Sequence, residues 1–450
     1  MIQRHDLSGV IQQDLCIACG VCVHADPSVE LHLHPEKQIW EPTHAANEDA
    51  ASVCPAVQVD FAGLQEELFP GVKPGPFGVV DQVFLAQSTN VDRNMKASSG
   101  GLIKELLIAL LDRPEVDGAI ALGHVKGLDF EPRLLHASSE VDSLPGSIYH
   151  NLPKHKVLDL LKENDERFVL VGIPCEFEGI FQYIRKFAPH LTDRIHSTIG
   201  LLCGWQYNYH ALRAICEFKG VDFDQLQSIS YRGGGPVGKL RLDTGDKVTE
   251  SSRRVDFSYQ VAFDRTFNTS RCHLCINHSN FLADIVVGDA WLPSTVATRS
   301  GISLVISRKP EMTLLVRDLV GTGQLVLTDV TTDEIEESQT HRVAMGDFAY
   351  AYAAYLDELG LHRPDMDGPN REEARLVERD EVAKFHSELR IKSSLQRQRR
   401  YNYLRLRKAT KELRPFLMRY VRWFLVRIVR VKSLTGKRQE LSRRDLGEFR

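Results

Sequence analysis

Phe168-Val169-Leu170-Val171-Gly172-Ile173-Pro174-Cys175 is an apolar run that breaks at a proline and delivers a cysteine. A short continuous apolar stretch bounded in this way reads as a strand buried on both faces, and strands of that kind belong to parallel sheets. Open α/β sheets gather their ligands beyond the carboxyl ends of the strands, so Cys175 falls where a site forms. Ile199-Gly200-Leu201-Leu202, leading into Cys203, repeats the arrangement. Downstream, Cys272-His273-Leu274-Cys275 supplies two thiols at a spacing suited to adjacent corners of one metal site. The four are expected to converge. An iron–sulfur cluster is the favoured occupant. A zinc site, a thioredoxin-like dithiol at the C-x-x-C pair and a reactive Cys175 beside a flavin stay open. Cys216, inside the helical pattern of residues 211–219, reads as core.

Outward from these strands the pattern alternates. Val83-Phe84-Leu85-Ala86 reads as a strand, residues 99–111 as a helix and Gly118-Ala119-Ile120-Ala121-Leu122 as the next strand, with alternation continuing to about residue 220. This order predicts an α/β domain with a mixed, partly parallel sheet. Residues 229–249 read as an inserted hairpin region, and Ala283-Asp284-Ile285-Val286-Val287-Gly288-Asp289 as a further strand.

The N-terminal region carries a second, tighter pattern: Cys16-x-x-Cys19-Gly20-x-Cys22, followed by Cys54-Pro55. Three thiolates at every third position and a distant Cys-Pro are how ferredoxin-type segments hold a [4Fe–4S] cluster. A triplet this tight cannot easily close disulfides within itself. The expected organisation is a ferredoxin-type head (residues 1–69), a Pro/Gly-rich linker (70–82), an α/β body binding FAD and iron–sulfur (83–345) and a helical, basic C-terminal extension (346–450). The fold class is therefore α+β or α/β.

Composition and charge narrow the function. The 450 residues carry a formal charge of −4, but residues 386–450 hold 20 Lys and Arg against 5 Asp and Glu, which leaves the preceding 385 residues at −19. There is no signal-peptide pattern at the N-terminus and no apolar run of bilayer-crossing length. Together with thiolate clusters this points to the cytoplasm. In the tail, Leu413, Phe416, Leu417, Tyr420, Val421, Phe424, Leu425 and Ile428 recur at helical spacing among five arginines. This basic amphipathic helix either lies on an anionic membrane surface, peripheral to its inner face, or packs on protein. Nucleic acid is the weakest partner, because no recognised binding fold accompanies the charge.

Lys96-Ala97-Ser98-Ser99-Gly100-Gly101-Leu102 precedes the helix at 99–111 and is the expected phosphate grip. Small residues let the backbone approach an anion, and a helix start offers amide N–H groups with a favourable dipole. A plain serine N-cap is the simpler alternative. Gly233-Gly234-Gly235 reads as a turn.

Taken together, the Cys16/Cys19/Cys22/Cys54 head, Ala97-Ser98-Ser99-Gly100-Gly101, Gly146-Ser147-Ile148-Tyr149, Gly172-Ile173-Pro174-Cys175, Gly200-Leu201-Leu202-Cys203-Gly204, the Cys272/Cys275 pair, residues 283–289 and Gly301-Ile302-Ser303-Leu304-Val305 resemble the family of beta subunits of coenzyme F-420 (deazaflavin) hydrogenases and dehydrogenases. The resemblance covers roughly residues 10–330. It implies FAD, two [4Fe–4S] clusters and electron transfer, with the flavin phosphates at Ser98, Ser99, Gly100 and Gly101. The second cluster falls to Cys175, Cys203, Cys272 and Cys275. Family clusters can use a carboxylate for one ligand, so Asp289 stands as an alternative to Cys175 or as a plain strand-end turn residue. The substrate is left open, coenzyme F-420 among the candidates. Flavin takes two electrons as hydride and a cubane carries one at a time, so the pair joins hydride chemistry to one-electron carriers. The expected activity is a flavin- and iron–sulfur-dependent oxidoreductase served by a redox partner protein, a ferredoxin or an oxidoreductase subunit. The alternative is an electron-transfer subunit with no substrate of its own. No side chain is singled out as a catalytic acid or base, and His273 is read either as a cluster-tuning donor or as a solvated loop histidine.

Overall fold

A computed structural model describes residues 6–394, apart from 236–237, 254, 264, 297, 299 and 369–376. Its centre is an eight-stranded mixed sheet. In chain order the strands are β1 (Gln82–Ser88), β2 (Gly118–Lys126), β3 (Asp129–Leu135), β4 (Phe168–Gly172), β5 (Ile195–Leu201), β6 (Ile285–Asp289), β7 (Ser303–Ser307) and β8 (Leu325–Val330). In space they run β8-β1-β7-β6-β5-β4-β2-β3. The four inner strands β6, β5, β4 and β2 are mutually parallel, and antiparallel strands flank them. Within the parallel block Gly172 pairs with Gly200. Cys175 and Cys203, each three residues further on, therefore leave neighbouring strands at the same level. Residues 228–252 form the expected inserted region, a three-stranded antiparallel sheet.

Alternate residues of the strands feed two cores, as the two-residue repeat of a strand requires. Phe84, Ala119, Val169, Ile199, Val287 and Val305 point to one face, which α1 (Leu102–Leu111) and the helix Pro310–Gly321 cover. Ile120, Phe168, Leu170, Val286 and Leu304 point to the other, where α2 (Pro174–Phe187) packs together with Ile17, Val21, Val53 and Phe61 of the N-terminal head. The head is thus built onto the sheet through α2 rather than set apart by its linker. Helix α1 starts at Leu102, three residues later than expected, because residues 98–101 are spent on a turn that ends with Gly101 at φ +81°.

The extension shows the larger departure from expectation. Helix α3 (Thr332–Glu358) runs straight across the boundary drawn at residue 345, and it is kinked at Gln339 (φ −115°, ψ 20°). Beyond it, Asp365–Met366 adds a parallel strand to Gln58–Val59 of the head, and α4 (Arg379–Ser394) buries Val382 against it. The amphipathic segment at 413–430 lies outside the described residues. Among the described residues, no helix is long and apolar enough to cross a membrane.

Candidate functional site: two cysteine quartets beside an arginine-lined cavity

Cys16 and Cys19 lie on the loop leading into the short helix Val21–Ala25, Cys22 is the second residue of that helix, and Cys54 caps the end of the helix Glu48–Val53. All four are at most 9% exposed. The Ala18 N–H donates to Cys16 Sγ at 3.3 Å. Burial pushes the thiols up, Cys22 to about 12 and Cys54 to about 11, and mutual repulsion among the sulfurs raises Cys16, Cys19 and Cys22 further. Amide N–H groups pull the other way: that of Val21 on Cys19, and those of Ala56 and Val57 on Cys54. Sulfur held in an apolar shell and met by amide donors is suited to be a charged, metal-bound thiolate.

The second quartet also converges. Cys175 opens α2, Cys203 follows β5, and Cys272 and Cys275 close the turn Ser270–Leu274. Cys175 interacts electrostatically with each of the other three. The Gln206 N–H donates to Cys272 Sγ at 3.2 Å, and Thr269 Oγ1 lies 2.9 Å from the same sulfur. The Asp289 carboxylate takes Arg232 Nη1 at 2.5 Å, and Arg342 interacts with both Asp289 and Cys203. His273 is no solvated loop residue, since it is 8% exposed and its ring stands edge-on to Phe385, 5.0 Å away. Cys216 is 1% exposed in its helix, a core residue as expected. Among the described residues no three or more of His, Cys, Asp and Glu are arranged to hold a single metal ion.

The quartets share a wall. Cys175 and Gly179 are one turn apart on α2, and a β-carbon on Gly179 would stand 3.3 Å from Cys19 Sγ. Arg271, beside Cys272, donates to the Pro55 carbonyl at 3.2 Å, beside Cys54. It also donates to the Leu274 carbonyl and pairs with Glu178, at 3.1 and 3.4 Å. Glu178 is fully buried, and burial raises its carboxyl above the ordinary value against the pull of Arg271 and Asn277. Lys154 is the third link: burial draws it down to about 8, while Cys175, Cys203 and Cys19 draw it up.

At the same sheet edge lies a cationic cluster. Ser98, Ser99, Arg232, Asp289 and Trp291 line one small cavity. Arg342 and Arg253 both face Asp289 and Tyr149, and the Arg253 guanidinium lies 5.7 Å from the Tyr149 ring. The kink in α3 makes this possible. Gln339 donates to the Asp289 carbonyl at 2.8 Å and accepts from Arg342, while Ser338 accepts from the Trp291 N–H at 2.9 Å. On the other side of Gln339 and Arg342 is a cavity of about 170 Å³, lined also by Phe77, Leu202 and His278. It borders the second quartet, for His278 Nδ1 donates to the Cys203 carbonyl at 2.8 Å.

The 98–101 turn divides. Ser98 accepts from the Ser147 N–H at 2.9 Å and faces the first of these cavities, as does Ser99. The Gly100 N–H is already spent on Ser303 Oγ at 2.9 Å, and a β-carbon there would meet the Ala86 carbonyl at 2.6 Å. Gly100 is therefore glycine because it packs on the sheet. Sequence reasoning missed Arg232, Arg253 and Arg342, which bring the positive charge an anionic group requires. Arg232 alone had a visible cue, directly preceding the three glycines.

Comparison with known proteins follows the same outline. Residues 83–159 and 165–333 match the N-terminal and C-terminal sequence models described as coenzyme F420 hydrogenase/dehydrogenase, beta subunit. The chain is 22% identical over 329 residues to one of the subunits of the F(420)H(2) dehydrogenase of Methanosarcina mazei, spanning 69% of this chain and 86% of that one. It is 26% identical over 239 residues to the beta subunit of the coenzyme F420 hydrogenase of Methanococcus voltae, spanning 50% and 80%. In fold it is similar to a chain of the F420-reducing [NiFe] hydrogenase complex from Methanosarcina barkeri, with a TM-score of 0.50 at 18% identity over 65% of this chain and 98% of that one.

Proposed function

Because the chain belongs to the family of coenzyme F420 hydrogenase/dehydrogenase beta subunits, we infer that it is an oxidoreductase component carrying electrons between a one-electron partner protein and a hydride-type small molecule. FAD and two [4Fe–4S] clusters, when bound, supply the change from paired to single electrons. The observation that carries this reading is the shared wall: a buried cysteine quartet and a partly buried one meet across one turn of α2, and the second borders an arginine-lined cavity.

The residues suit those groups. Cys16, Cys19, Cys22 and Cys54 would hold the first cluster, and Cys175, Cys203, Cys272 and Cys275 the second. Ser98, Ser99, Arg232 and Arg342 would bind the flavin phosphates, with guanidinium groups giving planar, charge-assisted hydrogen bonds to phosphate oxygens. Burial of the first quartet keeps water from its sulfurs, while the second is half-buried. Coenzyme F420 is the hydride partner we favour, since the names of the relatives carry it.

The test uses the anaerobically reconstituted full chain. About eight iron atoms and one FAD per chain are expected, together with exchange of electrons between F420 and a viologen dye. A chain that holds flavin and iron but turns over neither F420 nor another hydride carrier by itself would be an electron-transfer subunit only. Iron near four with no flavin would sink the reading.

A further inference from the structure

One buried cation faces both quartets from a segment that precedes the β4 strand. The Lys154 N–H donates to the Ala18 carbonyl at 3.0 Å, which pins the residue to the loop between Cys16 and Cys19. Its side chain, 11% exposed, is ion-paired with Glu176. Glu176 is held in turn, for its other oxygen accepts the Ile173 N–H at 3.2 Å in the first turn of α2, next to Cys175. The ammonium is thus fixed from two sides. Cys175 and Cys203 of the second quartet and Cys19 of the first all act on it electrostatically. Arg271 also faces both quartets, but it ties Pro55, Leu274 and Glu178 together, so its loss would disturb the fold before it reported on charge.

A fixed positive charge in a dry interior stabilises whichever state of its neighbour is more negative, and for an iron–sulfur cluster that is the reduced state. On the two-cluster reading above, we propose that Lys154 is a positioning residue that raises the electron affinity of both clusters together, and of the second more than the first. Two cysteines of the second quartet face it, against one of the first. Its pairing with Glu176 sets the size of the effect, because the carboxylate offsets part of the charge.

The experiment is an anaerobic redox titration, followed by electron paramagnetic resonance, of the reconstituted full chain and the variants Lys154→Met, Lys154→Arg and Glu176→Gln. Replacing Lys154 by Met should lower both midpoints. At the wild-type midpoint of the second cluster the ratio of reduced to oxidised form should fall about tenfold, equal to about 59 mV for one electron, with a smaller fall at the first. Arg should restore both. Glu176→Gln keeps the hydrogen bond to Ile173 and removes the carboxylate charge, so it should move both midpoints upward. Intact clusters with unmoved midpoints in the Met variant would overturn the proposal, as would failure of Arg to restore them. If the Met variant does not take up iron, an unmoved midpoint in Glu176→Gln overturns it instead. A wild-type chain with iron for one cluster only would defeat the two-cluster reading first and this proposal with it, and iron content tells the two failures apart.

Discussion

Gly179 lies directly over Cys19: a β-carbon at position 179 would come within 3.3 Å of Cys19 Sγ, 3.0 Å of Val21 Cγ1 and 3.3 Å of Pro55 Cγ. Glycine in mid-helix costs up to about 1 kcal/mol against alanine, and here it allows one quartet to pack on the helix that opens with a cysteine of the other. Gly179→Val should therefore expel the first cluster and keep the second. Iron content should fall from about eight to about four, with the second cluster's resonance unchanged. Full iron loading in this variant would mean the two sites are not in contact through α2.

Serine replacements of the cysteines should separate the sites. Cys19→Ser and Cys272→Ser are each expected to remove about four iron atoms, and the double variant all of them. If Cys272→Ser left the iron content unchanged while Cys19→Ser halved it, the second quartet would not be a cluster site.

The flavin reading rests on guanidinium groups. Arg232→Gln and Arg342→Gln should each weaken flavin binding at least tenfold, a loss of about 1.4 kcal/mol or more, while leaving iron content alone. Gly100→Ala is the contrasting case. Its new methyl would strike the Ala86 carbonyl, so it should lower the melting temperature and expression, a folding defect more than a binding one. Flavin retained at wild-type occupancy in both arginine variants would move the phosphates elsewhere.

Acid should weaken the fold through His150. Its Nε2 faces the Leu128 carbonyl at 2.9 Å and so carries the proton, while Nδ1 accepts from the Tyr231 hydroxyl at 2.6 Å. Both ring nitrogens of the neutral form are satisfied. Burial, opposed by the Leu128 carbonyl and aided by the charge of Lys154, lowers the pKa to about 4. Between pH 6.5 and 4 the unfolded chain binds a proton that the folded chain does not, so stability falls as pH drops through that window, by about 3 kcal/mol from this group. Denaturant titrations should show a shallower fall for His150→Gln. Equal pH slopes in the two proteins would remove His150 from the account.

A cut at residue 384, which the charge pattern alone suggests, would remove Phe385 and His386. Phe385 packs on Tyr352 and Phe348, and His386 lies 3.1 Å from the Tyr352 hydroxyl. Truncation should be made after 394 instead. That form is expected to keep both clusters and flavin yet to lose salt-sensitive binding to anionic vesicles, as a basic segment of this kind would confer. Equal sedimentation of the full and shortened chains would exclude a lipid role.

Cysteine spacing and apolar runs carried most of what could be read in advance. Strands β4 and β6 are mostly Val, Leu and Ile because both their faces are covered, whereas β5 shows that pattern only in its last residues, after His196-Ser197-Thr198, and the cysteines announce themselves by interval. The charged residues between the quartets had no such mark. Arg271, Glu178 and Lys154 are scattered polar positions in sequence and become neighbours only through packing. The kink at Gln339 and the pairing of Asp365 with Gln58 depend on contacts across long stretches of chain, which no local periodicity encodes. The 98–101 turn was found, but the packing of Gly100 on the sheet was not, because a glycine that packs on a sheet and one that cradles an anion look alike in sequence.

The return of the chain onto its own beginning constrains the order of synthesis. His362 Nε2 donates to the Ala56 carbonyl, 3.0 Å away, and its ring lies where a side chain on Gly9 would be. Tyr352 and Leu356 share one apolar cluster with Cys16, Cys22 and Cys54. The pocket around the earliest cysteines thus has its lid encoded about 300 residues later, whereas the last cysteine of the second quartet is already at position 275. The second quartet waits for late chain as well, since His273, beside Cys272, packs on Phe385, so neither cysteine pocket is closed when position 275 leaves the ribosome. Closure of the N-terminal cysteine site is in that sense a late event of maturation, and a stalled or clipped product ending before residue 350 would lack the Tyr352 and Leu356 side chains that pack beside its first four thiols.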